Sequence, residues 1–125
     1  MAKKKQKNVN VNLVDVIVHG MLEKKANHIT IINLTKLPNA VCDYFIICDG
    51  VSNTQVGAIA ESVVREVKTT IKINPSHKEG YQNSEWILLD YFDVVVHIFQ
   101  EQSREFYRLE DLWADAEIKQ IVSPR

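Results

Sequence analysis

The sequence predicts an α/β domain, a mixed β-sheet covered by helices. Three observations predict it. One long segment, 53–71, repeats apolar residues at helical spacing. Short β-branched and aromatic runs stand before and after it. Polar stretches carrying Pro or Gly separate the runs. A chain of 125 residues suits one domain with a core of its own.

The chain opens on "MAKKKQKN", read as a basic, disordered, solubilising tail over 1–8. A single domain is expected over 9–117, with a C-terminal tail over 118–125. A first helix is expected from Asn10 to Lys25, because Leu13, Val14, Ile17, Met21 and Leu22 recur on one face. Gly20 inside it costs about 1 kcal/mol against Ala. "HITIINL", His28 to Leu34, is β-branched and reads as a strand. "TKLPNAVC" is a loop, since Pro38 does not fit a central strand.

"DYFIIC", Asp43 to Cys48, is apolar on both faces, which suits the middle of a covered sheet. Ser52 and Gln55 then form a capping-box pattern that starts a helix over Asn53 to Ile71. Val56, Ile59, Ala60, Val63, Val64, Val67 and Ile71 make its stripe. Asn74 to Glu85 is a polar connection with room for a short edge strand.

In "WILLDYFDVVVHIFQ" two strand-like runs meet at Tyr91-Phe92, which predicts a hairpin with those residues at its tip. Asp90 and Asp93 then flank a bend in water and need not be buried. Two-residue turns favour Asn or Gly, because they need positive φ, so Tyr-Phe implies another turn type, a bulge or strain. The last helix is "SREFYRLEDLWADA", with Ser103 as its N-cap and Phe106, Leu109, Trp113 and Ala116 on one face.

Charge narrows the partners. Lys3, Lys4, Lys5 and Lys7 hold four of the fifteen basic residues, so the rest of the chain, with sixteen carboxylates, is acidic. An acidic body argues against broad contact with nucleic-acid phosphates and fits a basic protein partner. No run approaches the apolar length of a membrane span. Asn10, Asn12 and Asp15 interrupt any apolar signal core, so a cytoplasmic address is expected. Cys42 and Cys48 match no metal or redox spacing and read as reduced thiols, Cys48 as a small buried hydrophobe.

A catalytic reading begins at "GVS", Gly50 to Ser52, before a helix. A Gly-Ser pair there can hold phosphates, with two metal-binding carboxylates on a following strand. Asp90 and Asp93 stand three apart across a turn and do not converge as an alternate-residue pair would. Turn and cap roles suffice for Gly50 and Ser52. The four histidines show no short ligand spacing, and His97 within a strand reads as a hydrogen-bonded histidine rather than a metal ligand. No metal and no cofactor are expected.

The hairpin is the candidate contact surface. Trp86, Leu88 and Asp90 point one way along their strand, with Ile87, Leu89 and Tyr91 the other way. An aromatic, an aliphatic and a charge on one face suit an interface. Trp86, Leu88, Asp90, Tyr91 and Asp93 are expected at its centre, with Glu101 and Arg104 nearby.

Over Leu13 to Trp113 the sequence resembles the ribosomal silencing factors, the Iojap or YbeB family. The segments that carry the resemblance are "DYFIICDGVSNTQVGAIAESV" and "EGYQNSEWILLDYFDVVVHIFQEQSREFYRLEDLW". Asn33 stands where the first strand often ends in Asp, and Phe92 where the hairpin tip often carries Gly. The resemblance implies a nucleotidyltransferase-like fold without the catalytic carboxylates. It implies binding to the large ribosomal subunit through its fourteenth protein, where the factor blocks joining of the small subunit and lowers translation when nutrients are short. It also implies a homodimer in isolation, and a part in large-subunit assembly for organelle relatives.

Overall fold

The computed structural model describes the backbone of residues 2–107 and 116–121, and side chains over 13–104 and 116–121. The elements are α1 (Ala2–Glu23), β1 (Asn27–Asn33), β2 (Tyr44–Gly50), α2 (Asn53–Thr70), β3 (His77–Glu79), β4 (Trp86–Asp90), β5 (Val94–Gln100), α3 (Glu101–Tyr107) and β6 (Glu117–Gln120). The strands form one mixed sheet in the order β3-β4-β5-β2-β1-β6. Only β2 and β5 run parallel; the other pairs are antiparallel. The apolar β2 lies between β5 and β1, as its two apolar faces require.

Burial follows the strand alternation. Ile46, Cys48, Ile87, Leu89, Val96 and Ile98 face α1 and α2, packing on Leu13, Ile17 and Met21 of α1 and on Val56, Ile59, Val63 and Val67 of α2. The opposite face has a smaller cluster of Ile32, Leu34, Cys42, Phe45, Ile47 and Phe99, against which Leu37, Ala40, Trp86 and Val95 pack in part. The loop 34–43 closes over this outer face, with Leu34 N–H donating to Asp43 O at 2.8 Å. Both cysteines are free and buried, and burial raises the Cys42 thiol to about 11.

The glycine inside α1 has a packing reason. A Cβ on Gly20 would come 2.9 Å from the Val63 Cα of α2, and Ser62 Oγ donates to Gly20 O at 2.8 Å. Gly20→Ala is therefore expected to destabilise the fold by about 1–3 kcal/mol, although Ala is the better helix former. Urea unfolding of the variant checks this; a higher midpoint than wild type would show that the helices do not depend on this close approach.

Five local expectations differ from the structure. The helix α1 starts at Ala2, so the lysine-rich segment is helical rather than a tail; Lys and Gln are good helix formers. The hairpin tip is Phe92-Asp93, one residue later than expected, because Tyr91 N–H donates to Val94 O at 2.9 Å. Ser52 caps α2 by accepting from Gln55 N–H, but the Gln55 side chain reaches Val51 N–H at 2.8 Å, outside the reciprocal capping pattern. The helix α3 starts at Glu101, which puts Ser103 inside it. Glu117–Gln120 is not a tail but the edge strand β6, antiparallel to β1. The expected helix residues 108–115, Trp113 among them, lie outside the described residues.

Candidate partner-binding surface

Three rows of side chains cross the outer face, set by the strand register. One row runs His77, Asp90, Val95, Phe45 and Ile32. The next runs Glu79, Leu88, His97, Ile47 and Thr30. The third runs Trp86, Phe99 and Asp49. The inner ends of these rows are buried. On β4 the outer-face residues Trp86, Leu88 and Asp90 are half-buried, while Ile87 and Leu89 beneath the helices are fully buried. The alternation expected for β4 therefore holds. It leaves a strip of indole, isobutyl and carboxylate, edged by His77 and Glu79 of the exposed β3.

Trp86 is held from two sides. Its ring stacks on Phe99 at 4.9 Å and 27°. Its indole N–H donates to His97 Nδ1 at 3.0 Å. Burial lowers His97 to a pKa of about 4, so its ring is neutral near pH 7. Asp90 Oδ1 accepts from Phe92 N–H at 2.8 Å, so the carboxylate organises the turn from the end of β4. Asp93 is exposed, and its carbonyl accepts from Asp43 N–H at 2.8 Å and Tyr44 N–H at 3.1 Å. This ties the hairpin tip to the loop before β2.

Two of the expected contact residues do not belong to this surface. Tyr91 is only 6 % exposed and packs with the helix-side core, as its place in the alternation requires. Burial raises its phenol well above the ordinary range. Arg104 is also taken up internally. Its side chain is 11 % exposed and pairs at 3.0 Å with Asp49, which is 3 % exposed. It also donates to Thr30 Oγ1 at 2.9 Å and to the His28 carbonyl. Glu101 is exposed at the start of α3, at the Trp86 end of β4. Asp93 lies at the far end, about 13 Å along the strand.

Phe92, expected at the hairpin tip but not among the contact residues, is the most exposed aromatic at this end of the sheet. It is 76 % exposed at the hairpin tip, with φ of 73°. Asp93 N–H donates back to Tyr91 O at 3.0 Å, which closes a tight three-residue turn around it. An aromatic at a turn position that wants positive φ was the available signal. Val41, exposed in the loop tied to this tip, adds a second large apolar side chain at the same end of the sheet.

The GVS segment has the geometry of turn and cap. Val51 N–H and the Ser52 hydroxyl are both engaged by Gln55. Asp49 is two rows from Asp90 and is paired with Arg104, so the carboxylates of β2 and β4 do not converge. Among the described residues the one cluster with ligand-type atoms is His19, Glu23 and Glu66, on α1 and α2. Its His19 Nε2 is 3.6 Å from Glu23 and its Nδ1 3.8 Å from Glu66, so the ring lies between two carboxylates. A cleft of about 220 Å³ between α1 and the β1–β6 edge, lined by Val14, Asp15, Ile31, Asn33 and Lys119, lies on the helix side of the sheet. No described helix is long and apolar enough to cross a membrane.

The family model for the ribosomal silencing factor during starvation, RsfS, matches residues 6–125. A ribosomal silencing factor RsfS of Halalkalibacterium halodurans is 36 % identical over 117 residues, spanning 91 % of this chain and 98 % of that protein. The Bacillus subtilis RsfS is 38 % identical over 102 residues, spanning 79 % and 82 %. A crystal structure from Chromobacterium violaceum superposes with a TM-score of 0.78 at 29 % identity, covering 89 % of this chain and 91 % of that one. Sequence over nearly the full length and the order of the fold agree, and the chain belongs to the ribosomal silencing factor family.

Proposed function

We propose that this chain docks on a basic protein of the large ribosomal subunit, the fourteenth protein at the intersubunit face. The docking surface is the outer-face strip of Trp86, Leu88 and Asp90, with Phe92 and Asp93 at the tip and Glu101 at the far end. Bound there, the domain stands in the path of the small subunit and represses translation when nutrients are short. The blocking is steric and needs no chemistry.

One observation carries this reading: α1 and α2 cover one face of the sheet, and on the other face β4 keeps a half-open aromatic, aliphatic and acidic strip. The apolar groups supply area, and Asp90, Asp93, Glu79 and Glu101 suit the Lys and Arg of a ribosomal protein. Family membership supports the ribosome as the place of action.

Co-sedimentation with isolated subunits tests it. Binding to the large and not the small subunit is expected; equal binding to both, or to neither, overturns the reading. Turnover of any NTP with Mg²⁺, lost in Asp90→Ala, would place the chain among enzymes instead. Trp86→Ala is expected to weaken large-subunit binding about thirtyfold or more, as loss of a central aromatic typically does. Asp90→Lys should weaken it most at low salt, where a rim charge steers association. Folded variants that bind as tightly as wild type would place the contact elsewhere.

A further inference from the structure

The outer face holds one buried polar side chain that packing alone does not call for. His97 is 5 % exposed, with the Phe45 ring edge-on at 4.9 Å and Leu88 and Ile47 as its cross-strand neighbours. Its Nδ1 faces the Trp86 indole N–H at 3.0 Å. An indole nitrogen only donates, so Nδ1 accepts, and the proton of the neutral ring lies on Nε2. Nε2 is buried and has no hydrogen-bond partner among the described residues. An unpaired buried donor is destabilising. A Phe or Leu in the same place would avoid it.

The bond to Trp86 is what the histidine supplies in return. The stack on Phe99 sets the plane of the indole but does not by itself choose between the orientations that keep that plane. The N–H···N bond selects the one that points the indole nitrogen at His97, and so sets which edge of the ring faces outward. We propose that His97 is a positioning residue for docking: it fixes Trp86 in the orientation that meets the partner, at the cost of an unpaired Nε2–H. This rests on the reading of Trp86 as a contact residue. Ordering such a side chain before binding is worth up to about tenfold in affinity.

Two readouts test it: binding to isolated large subunits, and solvent exchange of the Trp86 indole proton by NMR, assigned by its loss in Trp86→Phe. His97→Asn keeps an acceptor near the place of Nδ1; His97→Phe does not. His97→Phe is expected to bind about tenfold more weakly and to lose indole protection, while His97→Asn stays near wild type in both. Trp86→Phe, which keeps the stack and loses the donor, should weaken binding as His97→Phe does. If His97→Phe does not fold by circular dichroism, Trp86→Phe carries the test, and wild-type affinity there overturns the proposal. Equal losses in the Asn and Phe variants would make His97 a packing residue and overturn it too. If His97→Phe binds like wild type while Trp86→Ala is weakened, the positioning role falls and the docking surface stands. If Trp86→Ala itself binds like wild type, both fall.

Discussion

Asp49→Ala is expected to lower the unfolding free energy by about 3–5 kcal/mol, the usual loss when one member of a buried ion pair is removed. Asp49 and Arg104 are both nearly enclosed and meet at 3.0 Å, where β2 and α3 come together. The alanine removes the opposing charge from a guanidinium in a confined site, where Thr30 Oγ1 and the His28 carbonyl are neutral acceptors. The low end of the range applies if Arg104 can swing toward water from its short helix. The pair itself is not expected to be a large net stabiliser, because both charges were desolvated to form it. The double variant Asp49→Ala/Arg104→Met should therefore recover most of the loss. Urea unfolding of the two single variants and the double gives the coupling directly. A double variant no better than Asp49→Ala alone would show that the stranded charge is not the cause. Loss of the pair should also loosen α3, and with it Glu101.

The second large effect is with acid. His97 is buried among aromatic and aliphatic groups, and burial alone lowers its pKa to about 4 from an ordinary 6.5. The unfolded chain takes up this proton as pH falls through about 6.5, while the folded chain refuses it until about 4. Unfolding is thus favoured across that interval: the stability is complete above pH 6.5 and is lost on acidification. One pKa unit corresponds to about 1.4 kcal/mol, so about 2 kcal/mol should be gone at pH 5 and about 3 kcal/mol near pH 4. No charged side chain is placed against the ring by the register; its neighbours are Trp86, Leu88, Phe45, Ile47 and Phe99. Unfolding midpoints between pH 7 and 4.5 for wild type and His97→Asn should diverge below pH 6.5, the variant losing less. Parallel curves would mean that another group governs the acid limb.

Much of the architecture was legible because the signals were local. The stripe of α2, the Ser52 cap and the alternation along β4 each depend on residues within a turn or a strand of one another. The half-open strip was legible for the same reason: Trp86, Leu88 and Asp90 share a face by strand geometry alone. Family membership was legible in the long segment from Glu79 to Trp113. The turn was misplaced by one residue because Phe92 carries positive φ without being Gly, a choice that only surrounding structure can hold. The strand β6 gave no pattern to read: its four exposed residues are held by backbone pairing to β1, 84–90 positions away along the chain in their register.

By itself, then, the sequence determined the types of the elements from β1 to β5, the family, and which β4 side chains share a face, since periodicity and turn chemistry are short-range properties. Only the tertiary structure decided which of those side chains can be reached. Tyr91 was a plausible contact until α1 and α2 were seen to cover its side of the sheet. Arg104 was a plausible surface charge until Asp49 and Thr30, 55 and 74 residues distant, were found around it. His97 was one histidine among four until the indole of Trp86, eleven residues back, proved to end on its Nδ1. Burial and hydrogen-bond partnership are set by segments that meet only when the chain has closed on itself, and no local spacing encodes which remote group will arrive.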